Sequence, residues 1–182
     1  MFISSNPLFK EWLKRLTSFG WLLIKHLKSH AITWLLFVAL YQIFSINYTL
    51  GINLTPSLPY KLFLIGKNEK VESGEFIAFT WHGGKPYRNG AVFVKRLLAS
   101  PGDSVVKNGR DFIVGTRVIT GKREGLKGKI LFPNNELIDG RNIIQLGKYF
   151  VAGDHEYSLD SRYSALGLVD KKDVVGRAFP IF

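Results

Sequence analysis

The chain has 182 residues, 46% of them apolar, with 25 Lys and Arg against 14 Asp and Glu, a formal charge of +11, and no cysteine. That length allows one domain with a real core plus a short extra segment. The missing cysteines exclude a disulfide framework, a thiol nucleophile and a cysteine-based zinc site. A basic chain can bind nucleic acid, but no recognition helix, zinc spacing or aromatic–basic interleaving accompanies the charge here. Attraction to anionic lipid is the better reading, and no nucleic-acid partner is expected.

Five of the basic residues, Lys10, Lys14, Arg15, Lys25 and Lys28, precede residue 31, with Glu11 as the only acid among them. Leu8, Trp12, Leu16, Phe19 and Leu23 recur at helical spacing, which predicts an interfacial amphipathic helix over Leu8 to Leu27. A second membrane span is the alternative, disfavoured because Lys25 and His26 interrupt the apolar run. From Ala31 to Tyr60 there is no charged residue. A spanning helix needs roughly 20 mainly apolar residues, and residues 31–50 supply them, with Trp34 and Tyr48 near the two ends where amphipathic rings favour the interface. A buried core helix or a cleavable signal peptide would share this pattern. The long basic front and the lack of a small-residue cleavage site favour an uncleaved anchor. Positive charge before the span puts residues 1–30 in the cytoplasm and residues 51–182 outside. The expectation is a single-pass protein of the cytoplasmic membrane with a periplasmic or otherwise extracytoplasmic domain.

The remainder reads as mainly β. Strands are predicted at Phe76 to Trp81, Ala91 to Leu98, Ser104 to Lys107, Asp111 to Val114, Lys129 to Phe132 and Tyr149 to Val151. Gly, Pro, Asn and Asp pairs separate them, as at Asn89-Gly90, Pro101-Gly102 and Asn108-Gly109. The pattern argues for a barrel-like or sandwich-like domain. A small excursion at about 109–142, rich in Gly and Lys from Gly115 onward, reads as a peripheral hairpin or flexible segment.

Three segments can carry chemistry. In Thr55-Pro56-Ser57-Leu58-Pro59, prolines on either side stiffen the backbone around Ser57, and a nucleophile gains from one fixed attack geometry. A proline-rich turn leaving a membrane helix would look the same. In the strand Ala91 to Leu98, alternation puts Lys95 on one face with Ala91, Phe93 and Leu97, and Arg96 on the other. Apolar neighbours desolvate a lysine and lower its pKa, and a neutral amine can take a serine proton. A lysine snorkelling from a strand edge is the plain alternative. In Gly153 to Arg162, Asp154, Asp160 and Arg162 could form an ion-pair cluster with Ser158 and Ser161 bonded inside it, or simply a polar surface loop. Of the four histidines, His26 and His30 fall on the cytoplasmic side of this topology, and His82 and His155 lack a triad context. No metal site and no cofactor are implied.

Taken together, these segments resemble the type I signal peptidases, serine–lysine peptidases that remove signal peptides at the membrane surface. The resemblance rests on TPSLP at Thr55 to Pro59, SGEFIAF at Ser73 to Phe79, FVKRLLASPGD at Phe93 to Asp103 and GDHEYSLDSRYSALGLV at Gly153 to Val169, with the tail VVGRAFPIF. It implies a compact signal-peptidase-like β domain after an N-terminal membrane helix. It also implies Ser57 as nucleophile, Lys95 as general base and Thr55 as an oxyanion donor beside the Ser57 N–H. Ser158 would orient the lysine, and Asp154, Asp160 and Arg162 would form a structural network. The implied partners are precursor proteins with signal peptides and the lipid bilayer. His155-Glu156-Tyr157 departs from the family's Asn-Arg-Asp, and one residue rather than two separates Ser57 from Pro59. The compact domain and short serine block look more like the conjugative-transfer branch, the TraF-type peptidases that process, and can cyclise, pilin. A non-catalytic, membrane-tethered assembly factor of a secretion or pilus system is the rival reading. It needs the anchor and the basic surface, but not Ser57 and Lys95 together.

Overall fold

The computed structural model describes residues 7–85, 87–125 and 128–182; the first six residues of the basic segment and residues 126–127 of the excursion lie outside these. The chain forms two compact units, Met1–Ile46 and Asn47–Phe182.

The first unit is built from α1 (Pro7–Ser29) and α2 (Ala31–Asn47), bent by 77° at their junction. α1 carries all five early basic residues and the predicted apolar repeat; α2 has no charge. No single described helix is long and apolar enough to cross a membrane; only taken together do the two bent helices reach that length and composition, as a signal sequence near an N-terminus also does. The anchor expected at 31–50 therefore differs from the helix observed, which stops at Asn47. Tyr48, Thr49 and Leu50 are instead drawn into strand β1 (Tyr48–Ile52), where pairing with β2 (Leu62–Lys67) satisfies their backbone groups.

The second unit is mainly β, as expected. The further strands are β3 (Phe76–Thr80), β4 (Val92–Ala99), β5 (Ser104–Asn108), β6 (Asp111–Val114), β7 (Arg117–Thr120), β8 (Gly140–Ile143), β9 (Lys148–Ala152), β10 (Val169–Asp170) and β11 (Val174–Pro180). Seven form one antiparallel sheet in the order β1-β2-β11-β3-β4-β9-β10; β7-β6-β5-β8 form a second. β3 is central, and both of its faces are covered. Phe76 and Ala78 pack with Leu58, Phe63, Ile65 and Ala178, while Ile77 and Phe79 pack with Leu97, Val151 and Val169. This explains a strand that reads FIAFT, a near-continuous apolar run without polar alternation. The smaller sheet closes a third cluster around Phe112, Val105 and Phe150.

The excursion is less peripheral than its composition suggests. It supplies β7 and β8, and it buries Leu137 and Asn134. Asn134 earns its burial by donating Nδ2 to the Ser161 carbonyl and accepting the Glu136 N–H. The strand expected at Lys129 to Phe132 is not formed; Ile130 makes only a single bridge to Glu124. Gly and Lys around it leave too few apolar side chains to hold a ladder.

β11 is held on both edges, by β2 and β3. At Gly176 the neighbouring strand comes so close that a Cβ would overlap the Gly66 carbonyl oxygen. Gly176→Ala is therefore expected to lower stability by about 2–3 kcal/mol through forced separation of β11 from β2. Urea unfolding of the full chain in detergent, followed by tryptophan fluorescence, measures this.

Candidate active site

Ser57 lies in the connection between β1 and β2. Asn53 closes that loop: its N–H donates to the Lys61 carbonyl at 2.8 Å, and its Nδ2 donates to the carbonyls of Tyr60 at 3.0 Å and Leu58 at 3.4 Å. Its Oδ1 accepts the Thr55 N–H at 3.1 Å, an Asx turn that starts the bend toward Ser57. Leu58 then plugs into the core beside Phe63 and Phe76, which pulls the serine inward. The Ser57 carbonyl accepts the N–H groups of Asp154 at 2.9 Å and His155 at 3.3 Å, tying the loop to the segment that leaves β9. As a result the Ser57 side chain is buried, 3.0 Å from the Thr55 hydroxyl. Among the described residues the Ser57 N–H donates to no protein group.

Lys95 sits on β4 opposite Ile77 of β3, on the same face as Phe93 and Leu97. The predicted strand phase agrees with this packing, and Arg96 turns to the other face, over the Phe76 ring. Only 4% of Lys95 is exposed. Burial pushes its amine down from 10.5 to about 8, with Asp160 opposing, Arg162 assisting and Asp154 opposing. Among the described residues its Nζ makes no hydrogen bond; its nearest ring is Phe93, 5.8 Å from the centroid.

Register leaves room beside Lys95. β3 pairs with β4 from Val92 to Arg96, but β9 pairs only from Arg96 to Ala99. The stretch Val92 to Lys95 thus keeps one edge outside the sheet. A cleft of about 400 Å³ occupies that side, and both Ser57 and Lys95 line it, with Thr55, Ser158, Tyr87 and Leu54.

The Gly153–Arg162 segment supplies two separate ion pairs. Asp160, fully buried, accepts Arg162 Nε at 2.8 Å and its NH2 at 2.8 Å, together with the Gly153 and Arg162 N–H groups. Arg162 also donates to the carbonyls of Thr120, His155 and Ser158. Asp154 pairs instead with Arg96, which grips both carboxylate oxygens at 3.1 and 3.0 Å. Ser158 is different again. Its hydroxyl is buried with no partner among the described residues, and a Cβ on Gly153 would overlap it. Leaving such a group unpaired costs about 1–3 kcal/mol.

His82 contacts Asp173 at 3.3 Å beside a separate pocket that Ser57 does not line. His155 does line the main cleft, but its Nδ1 accepts the Tyr157 N–H. Among the described residues, no group of three or more His, Asp and Glu could hold a metal ion. The contributions of Asn53 and Arg96 were not read from the sequence. An Asn two residues before a Thr-Pro pair is an Asx-turn signal that points to the first. The Arg96–Asp154 pair, 58 residues apart, has no local signal.

Comparison of the sequence with known proteins places the chain in a family. The chain is 33% identical over 98 residues to signal peptidase I U of Bacillus subtilis (strain 168), covering 52% of each chain. It is 37% identical over 91 residues to signal peptidase I P of Bacillus subtilis subsp. natto, covering 46% of this chain and 47% of that one. The chain thus spans about half the length of the curated relatives it matches. The crystal structure of a signal peptidase I from Enterococcus faecalis V583 aligns with a TM-score of 0.37 and 26% identity, covering 60% of this chain and 97% of that one. The family model for signal peptidase, peptidase S26, matches residues 23–182, so this chain belongs to the signal peptidase S26 family.

Proposed function

We propose that this chain is a membrane-bound serine endopeptidase that cleaves signal peptides from exported precursors, with Ser57 as nucleophile and Lys95 as general base. The observation that carries it is the buried Lys95 amine, lowered to about 8, lining one cleft with a buried serine hydroxyl. A surface lysine is charged at neutral pH and cannot accept a proton; this one has an accessible neutral form.

The reaction is acyl transfer. Lys95 Nζ takes the Ser57 hydroxyl proton as Oγ attacks the scissile carbonyl carbon. The resulting oxyanion receives hydrogen bonds from the Ser57 N–H and the Thr55 hydroxyl. As the C–N bond breaks, the Lys95 ammonium returns that proton to the leaving amine. Water then attacks the acyl-enzyme ester, giving up its proton to Lys95; as the C–Oγ bond breaks, the Lys95 ammonium passes that proton to Ser57 Oγ, the acid leaves and both side chains are restored. Ser158 and Lys95 line one cleft, and the Ser158 hydroxyl is buried with no partner among the described residues, which supports a role for it in orienting the amine. Asp154, Asp160 and Arg162 act as scaffolding, since every one of their charged groups is already paired.

An extended substrate fits the free edge of β4 at Val92 to Lys95 by strand addition. The basic residues of α1 and the bent apolar helix pair support an N-terminus inside and the β domain on the outer side of the cytoplasmic membrane. The short serine block favours pilin precursors of conjugative systems as substrates. Mass spectrometry of the product tests this, with a linear chain expected from hydrolysis and a loss of one water from cyclisation.

Ser57→Ala and Lys95→Ala are each expected to lower precursor processing in liposomes by about 10³-fold or more. Unchanged processing by either variant removes the dyad. The rate should follow the neutral fraction of Lys95. It rises with pH through about 8, levels off above that and falls about tenfold per unit below it. A profile flat between pH 6 and 9 on the order of the wild-type rate would contradict the assignment.

The same amine has a stability signature. The folded pKa lies below the unfolded value, so the native state releases its proton first. The fold is penalised wherever Lys95 is charged, below about 8, and stability rises from there toward 10.5. Lys95→Met should therefore raise stability at neutral pH by about 2–3 kcal/mol and abolish that rise. Urea unfolding at several pH values reads both effects.

A further inference from the structure

We propose that Asn53 is a positioning residue of this site: its side-chain carbonyl takes the Thr55 hydroxyl proton and so fixes where the Thr55 and Ser57 hydroxyls lie. The inference rests on the reading of Ser57 and Thr55 as nucleophile and oxyanion donor.

The orientation of the Asn53 amide follows from its backbone neighbours. One side faces the Thr55 N–H at 3.1 Å, an obligate donor, so the atom there is the oxygen. The other side faces the carbonyls of Tyr60 and Leu58, obligate acceptors, so the atom there is the nitrogen. The Thr55 hydroxyl lies 3.1 Å from Asn53 Oδ1. That oxygen has no proton to give, so the hydroxyl donates to it. A hydroxyl has one proton. With it given to Asn53, the 3.0 Å contact between Thr55 Oγ1 and Ser57 Oγ must be donated by Ser57.

Three side chains therefore form an ordered line, Ser57 to Thr55 to Asn53. The line holds Thr55 Oγ1 beside the nucleophile in one rotamer. It also defines what changes during attack. The Ser57 proton leaves for Lys95, which frees Thr55 Oγ1, and the Thr55 proton swings from Asn53 Oδ1 to the oxyanion. Asn53 is the acceptor that keeps this donor parked within reach and receives it again afterwards. The Asn53 Nδ2 and N–H bonds keep that acceptor still, because they close the same loop on Tyr60, Leu58 and Lys61.

A residue acting through Thr55 differs measurably from one that merely braces the loop. In the full chain, with a signal-peptide substrate in detergent micelles, Asn53→Ala should lower kcat by about 10- to 30-fold with KM changed by about twofold or less. The double variant Asn53→Ala/Thr55→Val should be no slower than Thr55→Val by more than about twofold. Asn53→Asp keeps the acceptor toward Thr55 while losing the Nδ2 donor, and it should recover kcat to within about fivefold of wild type. Losses that multiply in the double variant, an Asn53→Asp as slow as Asn53→Ala, or an Asn53→Ala with full kcat would overturn the proposal. Where Asn53→Ala does not fold, Asn53→Asp decides alone by the same criterion. If Ser57→Ala itself still processes precursor, the nucleophile assignment fails and this proposal with it; if Ser57→Ala is inert and Asn53→Ala is fully active, the role of Asn53 alone fails.

Discussion

Protein packed around a primary amine removes the water that favours its charged form, and the centre of this domain is arranged around keeping Lys95 dry. The strand phase of β4 turns Lys95 toward Ile77 and Leu97. The Phe93 ring covers one side. Two acids stand near enough to favour the charged form, yet each is neutralised by its own arginine, Asp160 by Arg162 and Asp154 by Arg96. Arg162 offsets part of the pull of the carboxylates, while desolvation sets the direction of the shift.

The second constraint is topological. Ser57 belongs to a loop between β1 and β2, at one edge of the large sheet, and Lys95 belongs to β4 near its centre. Local sequence cannot bring these together. Two non-local contacts do so: Leu58 in the core beneath the sheet, and the Ser57 carbonyl on the N–H groups of Asp154 and His155. The early end of β9 pairing at Arg96 then leaves the space in which both side chains meet the cleft.

This separates what could be read from the chain from what could not. β6 was legible to the residue and β3, β4, β5 and β9 to within one residue, because Gly, Pro and Asn turns bound apolar runs. The face of Lys95 followed from alternation alone. β1, β2 and β11 were not legible. β1 continues an uncharged stretch that reads as helix, and LFLIGK and VVGRAFP find their places through strand pairing, β2 with β1 and β11, and β11 with β2 and β3. The excursion misled because Leu137 and Asn134 are isolated buried residues in a polar run, with no periodicity to announce them. The Asp154–Arg96 pair was illegible for the same reason: its partners are far apart in sequence and adjacent only across β4 and β9.

The distribution of unsatisfied groups is itself informative. Asp160, Arg162, Asn134 and Ser161 are all buried polar residues, and all are bonded. A buried network with every member paired is rigid. Against that background the exception among the described side chains is local: the Ser158 hydroxyl, on the cleft that Ser57 and Lys95 also line. A fold that bonds its other buried side chains and leaves one hydroxyl unpaired at the cleft has placed a destabilising group there. In the proposed reaction that oxygen is the group assigned to orient the Lys95 amine. The bonded Asp160–Arg162 pair, with Arg162 on the Ser158 carbonyl, holds the backbone beside that hydroxyl, so its unmet hydrogen-bonding capacity stays at the cleft.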